Sequence, residues 1–297
     1  LERSNDALEQ AERDCRESVV LARQLHGQGH RATIDARRQL AALYVDLGRF
    51  GEAETEFLDA FAWMRALLGP DHPDLARTYN SLAIVAWERG EAQKAEHYQR
   101  QAVETWRSSR NPGLVAAGLF NLALVLHDAG KNAEALAAVR EAGALRRQRF
   151  GSGHEIVGDN DRLEGEILAA LGQDDEALRV LRQAVQLTRA GFGGAHSHAR
   201  RAEISLARLE ARLGDASART RLATLGDYRG TDIEQRKAAW LARAYAAESD
   251  CRNDPPRARG QLDAVLAQMQ LALPEGGAVP REVQSIRKAC LAGIARR

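Results

Sequence analysis

Residues 79–96 read YNSLAIVAWERGEAQKAE, and this stretch decides the fold because its parts recur along the chain at a fixed spacing. Its glycine, Gly90, has counterparts at steps of 40 or 42 residues on either side. These marker glycines are Gly48, Gly90, Gly130, Gly172 and Gly214. A fixed period between about 20 and 50 residues indicates stacked supersecondary units, in which each unit packs against its neighbours.

Each marker glycine separates two runs of apolar residues at helical spacing. In residues 31–69, Leu40 and Tyr44 precede Gly48, whereas Phe57 and Met64 follow it. Glycine reaches the left-handed conformation of a helix C-cap without a Cβ clash, so Gly48 is expected to end the first helix. The unit is therefore predicted to be a helix, a tight turn and a second helix.

Alanine recurs at fixed distances after the marker glycines. Five residues after them stand Ala53, Ala95, Ala135 and Ala177, and twelve residues after them stand Ala60, Ala102, Ala142 and Ala184. A small residue allows two helices to approach closely. We therefore expect these alanines to lie where the helices of the array pack together.

A second glycine marks the turn between units. The four equivalent turns are Gly27–His30, Gly69–His72, Gly151–His154 and Gly193–His196, while the third unit has Ser109–Pro112 instead. The histidines stand at equivalent helix starts, so we expect them to act in the turn or as N-caps. His196 and His198 form only a weak metal pair without a third partner nearby, and no metal or cofactor is expected.

These residues resemble the tetratricopeptide repeat, and the resemblance is closest to the 42-residue variety of kinesin light chains and many bacterial signalling proteins. The matching segments are Gly69-Pro-Asp-His-Pro73, Tyr79-Asn-Ser-Leu-Ala83, Lys94-Ala-Glu96 and Phe120-Asn-Leu-Ala123. The resemblance covers about residues 7–214 and fades in repeat four, where Glu164-Gly165 replaces Leu-Ala. It implies an all-α fold, a right-handed α-solenoid of stacked helix–turn–helix repeats with a degenerate C-terminal cap.

Two regions are expected along the chain. Residues 1–226 are predicted to form the array, with a half repeat at 1–26 followed by about five repeats. Residues 227–297 are predicted to form a degenerate repeat, with helices at about 231–248 and 256–272, a loop at 273–280 and a capping helix at 281–295. Residues 7–26 match a second helix whose first helix is missing, which predicts a fragment of a longer protein with a further domain before it.

Composition and motifs argue against several classes of function. The net charge of +1 lacks the basic excess of a nucleic-acid-binding surface. The excess of arginine over lysine is attributed to genome composition. Nucleophile, phosphate-binding and metal-protease motifs are absent from the sequence, which predicts a non-enzymatic chain. The carboxylates of Asp159–Asp161 and Asp174–Glu176 are expected at helix N-termini, where they complement the helix dipole.

The family resemblance places the binding surface on the first helix of each pair, thirteen, ten, six and three residues before the marker glycine. The candidate ligand-binding residues are Arg38, Arg77, Asn80, Ile84, Trp87, Phe120, Asn121, Leu124, His127, Arg162, Arg201 and Arg208. The apolar members are expected at the centre and the arginines at the rim, which suits a protein segment with an apolar anchor and acidic flanks. The alternative is that Trp87 and Phe120 simply pack between helices.

The cysteines bear on the compartment. Cys15 is expected to be a lone thiol in a helix. Cys251 lies in a predicted turn and Cys290 in the last helix, so the two could meet at the cap. A disulfide there would crosslink the weakest end of the array and imply an oxidising compartment. Free thiols at both positions are the alternative.

The repeat is also similar to the C-terminal sensor regions of bacterial transmembrane Ser/Thr kinases. That similarity implies a periplasmic module that binds a protein or peptide and signals to a linked cytoplasmic kinase. The alternative is a cytoplasmic scaffold, or the regulatory arm of a transcriptional regulator or of a nucleotide-binding switch protein. The kinase similarity predicts oxidised Cys251 and Cys290, whereas the alternative predicts free thiols.

Overall fold

The chain is helical throughout the part that the computed structural model describes, which is residues 2–70, 72–251, 253–273 and 276–295, with side chains from residue 9 to residue 292. Over these ranges it forms fourteen α-helices and no β-strand. The predicted all-α fold of stacked helix–turn–helix units is therefore confirmed. Within the same ranges, no helix has the length and apolarity that crossing a lipid bilayer requires.

The first of two compact units comprises Leu1–Gly118 and Leu273–Gly277. Its helices are α1 (Glu2–His26), α2 (Arg31–Asp46), α3 (Phe50–Leu68), α4 (Leu75–Glu88), α5 (Ala92–Ser108) and the start of α6 (Pro112–Asp128). From α1 to α5, each helix packs against the next one in the chain. Leu40, Tyr44, Phe50, Phe57 and Leu82 form a buried cluster at the centre of this stack.

The second unit comprises Leu119–Ala272 and Ala278–Arg297. It holds the rest of α6, followed by α7 (Asn132–Phe150), α8 (Glu155–Ala170), α9 (Asp174–Phe192), α10 (Ser197–Arg212), α11 (Ala216–Leu225), α12 (Ile233–Asp250), α13 (Pro255–Ala272) and α14 (Ala278–Ala295). We call α2, α4, α6, α8, α10 and α12 the first helices of their pairs, and the helices that follow them the second helices. The boundary predicted at residue 226 separates regular repeats from a degenerate repeat with its cap. It is not a boundary between the two compact units, and it stays a prediction.

The marker glycines end the first helices. Gly48 has a φ of 71°, in the left-handed region, and the other four marker glycines have φ between 74° and 98°. The amide of Gly48 donates to the carbonyl of Val45 at 3.0 Å and closes the last turn of α2. The predicted helix stop is confirmed, because this conformation costs glycine little and disfavours every side chain.

The repeated alanines are at the closest helix contacts. All eight, from Ala53 and Ala60 to Ala177 and Ala184, have 0% exposure. The second helices thus pack with small side chains against their neighbours, as the spacing predicted.

The C-terminal helices follow the prediction except at one start. Helices α12 and α13 lie within two residues of their predicted bounds. Helix α14 begins at Ala278 instead of 281, so the last part of the predicted loop is helical. Pro280 is tolerated there because the first-turn N–H groups of a helix have no intrahelical partner, and proline lacks that N–H.

His30, His154 and His196 are the N-caps of their helices, and His72 acts in the turn before α4. The Nδ1 atoms of His30 and His154 accept hydrogen bonds from the amides of Ala32 and Ile156, each at 3.2 Å. His196 accepts from the amide two residues later at 3.3 Å, and His72 does the same at 3.2 Å. The three N-cap rings therefore supply an acceptor to a first-turn amide that has no partner within the helix.

Replacing His154 by alanine is expected to lower the free energy of unfolding by about 1 kcal/mol, because the amide of Ile156 loses its acceptor. The matched change His154→Asn keeps a side-chain acceptor and should cost much less. Urea denaturation of the three proteins measures both values. Equal losses for alanine and asparagine would contradict the capping role.

Repeat four departs from its neighbours where α8 meets α9. Gly165 occupies the position held by Ala41, Ala83 and Ala123 in the first three repeats. A Cβ atom on Gly165 would lie 2.5 Å from Cγ of Leu181. These two helices are therefore closer at this point than an alanine side chain permits.

The change Gly165→Ala is expected to destabilise the protein by about 1–3 kcal/mol through overpacking against Leu181. The matched change is Gly260→Ala on the exposed side of α13, where a Cβ meets nothing within 4 Å. That substitution should stabilise the helix by roughly 0.5–1 kcal/mol, because alanine loses less entropy on folding. Thermal and urea unfolding of both variants test whether Gly165→Ala lowers the stability of the protein and Gly260→Ala raises it.

Candidate functional site

Two of the predicted rim arginines lie at one cleft of the first unit. Arg38 and Arg77 line a cleft of about 110 Å³, together with Ile34, Met64 and Leu68. Ile34 and Met64 are only 1% and 5% exposed, so they form an apolar floor. Arg77 is exposed, whereas Arg38 is half-buried. An apolar floor with an arginine edge therefore exists here, although its apolar residues are not the predicted ones.

Acidic residues share the edge of this cleft. Arg38 Nη1 lies 3.5 Å from Oδ1 of Asp35, and Arg31 Nη2 lies 3.5 Å from Oδ2 of Asp74. These pairs are long and partly solvated, so each contributes little to stability. A ligand that offers a better acceptor can replace them at low cost.

The other candidates of the first unit lie on α4. Asn80 Oδ1 accepts from Nε2 of Gln99 at 3.1 Å, and the same nitrogen lies 3.1 Å from the carbonyl of Gly118. Gln99 has 0% exposure, so Asn80 takes part in a buried polar contact between α4 and α5. Ile84 and Trp87 are half-buried on the same helix.

The predicted apolar centre is divided between the units, with Ile84 and Trp87 in the first and Phe120, Leu124 and His127 in the second. Phe120 is 9% exposed, and the guanidinium of Arg146 lies 4.3 Å from its ring centroid. The prediction of Phe120 as an open anchor is therefore corrected: the ring belongs to the core, which was the alternative interpretation.

The remaining α6 candidates are half-buried. Asn121 and Leu124 have intermediate exposure, as does His127. His127 Nδ1 lies 2.7 Å from Oδ1 of Asn132, at the start of α7. These side chains remain candidates for ligand contact.

Arg162 is the centre of a buried charge network on α8. Its side chain is 7% exposed, its Nε lies 3.2 Å from Asp159, and its Nη1 lies 2.8 Å from Glu166. His198 Nδ1 lies 3.1 Å from Asp159, and Ser205 donates to Glu166. The prediction of Arg162 as a free rim cation is corrected, because two carboxylates of its own helix already neutralise it.

The network changes the acidity of its members. Burial raises the pKa of Asp159, but Arg162 and His198 outweigh burial and hold that pKa below its usual range. Burial likewise raises the pKa of Glu166, but Arg162 and Ser205 outweigh burial and hold that pKa below its usual range. The Arg201 charge also favours ionised Asp159, and Arg201 itself is half-buried. Both carboxylates are therefore ionised at neutral pH.

Arg208 is held in a second network. Its guanidinium lies 3.9 Å from the ring centroid of Tyr245 and bonds to Glu248 at 3.1 Å and to Glu282 at 3.2 Å. Tyr245 donates its hydroxyl to Glu282 at 2.6 Å. The prediction of Arg208 as an open rim arginine is corrected, since its charge is already paired with α12 and α14.

The carboxylates of residues 159–161 are not at the helix N-terminus. Helix α8 begins at Glu155, so Asp159 and Asp161 lie in its second turn, and both are buried. The earlier assignment to the helix dipole is wrong for this pair and fits only Asp174–Glu176, in the first turn of α9. The available signal for this network was the spacing of Asp159, Arg162 and Glu166, which places one arginine within helical reach of two carboxylates.

The pKa of Asp161 predicts how the stability of the protein depends on pH. Burial raises its pKa to about 6, with Arg147 opposing and Glu164 adding to the rise. The unfolded value is about 3.9. As pH falls from about 6 towards 4, the folded state takes up a proton that the unfolded state does not, so this group makes the protein more stable at pH 5 than at pH 7.5. In Asp161→Asn this component should disappear. Equal pH dependence of urea unfolding in both proteins would contradict the assignment.

Cys251 and Cys290 form a disulfide between the end of α12 and the last turns of α14, with a Cα–Cα distance of 5.4 Å. That distance lies in the usual range for disulfides. Cys15 is a free, half-buried thiol on α1. The structure thus contains the pairing for which the sequence left two alternatives.

Comparison with known families identifies the repeats. One tetratricopeptide repeat model matches residues 34–108, and a second matches residues 115–155 and 165–198. Together they match half of the chain. No curated protein matches the sequence.

Solved structures share the fold. BtubC (BKLC) from P. vanneervenii has a TM-score of 0.60 at 22% identity, over 76% of this chain and 95% of that one. A protein of Podosopora anserina that is named as a kinesin light chain, with nearly identical TPR-like repeats, has a TM-score of 0.52 at 20% identity, over 73% and 96%. A Rap protein complexed with competence and sporulation factor has a TM-score of 0.58 at 14% identity, over 96% and 88%. At these identities the similarity is one of fold.

Proposed function

Since this chain belongs to the tetratricopeptide repeat family, we propose that it is a non-catalytic recognition module whose first-helix face binds a segment of another protein. Repeat arrays present extended binding surfaces made of equivalent helices. The observation that carries the proposal is the cleft at Arg38 and Arg77, which combines an apolar floor with cationic edges. The Rap structure, which is complexed with competence and sporulation factor, supports a partner-binding role for this fold.

The chemistry of the cleft indicates which kind of partner segment it can bind. Ile34, Met64 and Leu68 offer space for one apolar side chain, and Arg38 and Arg77 can each bind a carboxylate. A partner segment with an apolar anchor beside acidic residues satisfies both features. Arg162 and Arg208 are already paired, and the half-buried Arg201 acts on the ionised Asp159, so the acidic flank is assigned to the first unit.

Charge reversal tests this site. Extract from the source organism is passed over the immobilised chain, the double variant Arg38→Glu/Arg77→Glu and the control Arg100→Glu, which changes an arginine paired with Glu96 on α5. A partner held by the wild type and the control but lost with the double variant supports the site. A partner held equally by all three contradicts the site, and the absence of any partner contradicts the binding function.

We further propose that the module is the extracytoplasmic sensor region of a bacterial Ser/Thr kinase and lies in the periplasm. The Cys251–Cys290 disulfide supports this proposal, because disulfides persist in oxidising compartments. In this mechanism, the partner changes the curvature of the array or its dimerisation, and the linked kinase responds.

The redox state in the native compartment separates this proposal from a cytoplasmic scaffold or regulatory arm. Thiols are alkylated before lysis, and the non-reduced protein is weighed by mass spectrometry. One alkylated cysteine, Cys15, with an intact Cys251–Cys290 bond, supports the periplasmic sensor. Three alkylated cysteines overturn it and favour the cytoplasmic alternative.

A further inference from the structure

Repeat four carries a carboxylate at a position where the other repeats bury leucine. The residues eight positions before the other marker glycines are Leu40, Leu82, Leu122 and Leu206, each less than 10% exposed. Repeat four has Glu164 there, and it is 7% exposed. A buried carboxylate is costly unless it is well paired. Local departures of this kind are expected at functional or strained sites.

Glu164 lines a cleft of about 420 Å³ between the second helices α7 and α9. Asp161 of α8 lies beside it, and Arg140, Arg147, Glu176 and Arg179 complete the charged lining. Cavities of this size hold small molecules. Asp161 and Glu164 lie on a different side of α8 from Asp159, Arg162 and Glu166, so this cleft is separate from the network on the first-helix face.

The most buried charged residues of the cleft are hydrogen-bond acceptors. Asp161 is 1% exposed and bonds to Arg147 through one oxygen. Its other oxygen, Oδ2, is buried and accepts no hydrogen bond from the described residues. Glu164 accepts from Nε of Arg140 at 2.9 Å. An ammonium group, with three N–H donors and a positive charge, would supply the missing partner of Asp161.

The mouth of the cleft is cationic. The side chains of Arg140 and Arg179 are 47% and 69% exposed, and both are paired with Glu176, at 3.0 Å and 3.6 Å. Their remaining guanidinium donors suit a carboxylate in bidentate geometry. Three arginines disfavour a ligand that is only a cation, and three carboxylates disfavour one that is only an anion. A ligand that carries both charges matches the lining.

We propose that this cleft binds a small zwitterion, an α-amino acid, with its ammonium group on Asp161 and Glu164 and its carboxylate on Arg140 and Arg179. The ammonium enters first and reaches the buried oxygens, while the carboxylate stays at the exposed arginines. The proposal does not depend on the protein-binding role of the first-helix face.

The twenty standard L-amino acids are tested singly by thermal unfolding of the whole oxidised chain, followed by isothermal titration of the strongest one. At ligand concentrations about tenfold above Kd, we expect a rise of the midpoint of about 2 °C or more. The N-acetyl derivative, which lacks the ammonium, and the carboxamide, which lacks the carboxylate, should each bind at least about tenfold more weakly. If no amino acid raises the midpoint, or if either derivative binds as well as the parent, the proposal is overturned.

The variant Glu164→Leu restores the leucine of the other repeats. Its midpoint should equal or exceed that of the wild type, while amino-acid binding is lost, which separates binding from stability. The control Glu203→Leu removes a carboxylate that pairs with Arg189 at 3.0 Å in the next repeat, and it should bind normally. Should Glu164→Leu not fold, Asp161→Asn serves instead. Binding that survives in a folded variant of either residue contradicts the site.

Discussion

Reducing the Cys251–Cys290 bond is expected to lower the free energy of unfolding of the second unit by about 4 kcal/mol, since the disulfide closes a long loop and restricts the unfolded chain. The two cysteines are 39 residues apart in sequence and join α12 to α14. The loss should be local to the C-terminal helices first, because α14 packs mainly against α12 and α13. Urea unfolding with and without reductant measures the value.

The double variant Cys251→Ala/Cys290→Ala should reproduce the loss without reductant. The matched control is Cys15→Ala, which removes the free thiol of α1 and should leave the response to reductant unchanged. Hydrogen exchange should show faster exchange in α14 than in α8 after reduction. An unfolding curve that does not change on reduction would show that the bond contributes nothing to the fold.

Replacing Arg162 by leucine is expected to destabilise the second unit by about 3–5 kcal/mol, because two buried carboxylates lose their common partner. Asp159 and Glu166 both bond to this guanidinium, and the Arg162 side chain is only 7% exposed. The control Arg13→Leu removes an arginine that is 61% exposed and paired with Glu9 at 3.6 Å. An exposed pair of this kind contributes at most about 1 kcal/mol.

The pH dependence of the free energy of unfolding shows whether lost charge pairing causes the destabilisation in Arg162→Leu. In the wild type, Arg162 helps hold the pKa of Asp159 and Glu166 below their unfolded values, so this stability is present above about pH 4 and is lost as pH falls further. In Arg162→Leu, burial dominates, so the folded pKa of both carboxyls rises above the unfolded value. The variant should therefore recover stability as pH falls from 7 to about 4.5. A deficit of the same size at both pH values would indicate lost packing rather than lost charge.

Much of the fold could be predicted from local patterns. The marker glycines end the first helices because a left-handed residue is needed at each turn, and this need depends only on neighbouring residues. The histidine caps bind amides two residues away, so they too are local. The start of α14 was missed because proline reads as a breaker, whereas the first turn of a helix accepts it.

The candidate site was less predictable. Helical spacing places Arg162 and Arg208 on the first helices. The partners of Arg162, Asp159 and Glu166, lie three and four residues away on the same helix, whereas the partners of Arg208 lie far along the chain. Arg208 meets Glu248 and Glu282, 40 and 74 residues further along the sequence. No local pattern encodes those partners, so Arg208 was predicted at the binding rim where the structure shows a closed network.

The 42-residue period was sufficient for the family, the helix–turn–helix unit and the buried alanines, because a repeat that packs on copies of itself carries its packing rules in every copy. Contacts between distant residues settled the rest: that Arg208 is neutralised by Glu248 and Glu282, that Cys251 meets Cys290, and that Glu164 lines a cleft. The free energy of a buried charge depends on the partners brought to it by folding, and these partners become neighbours only in three dimensions.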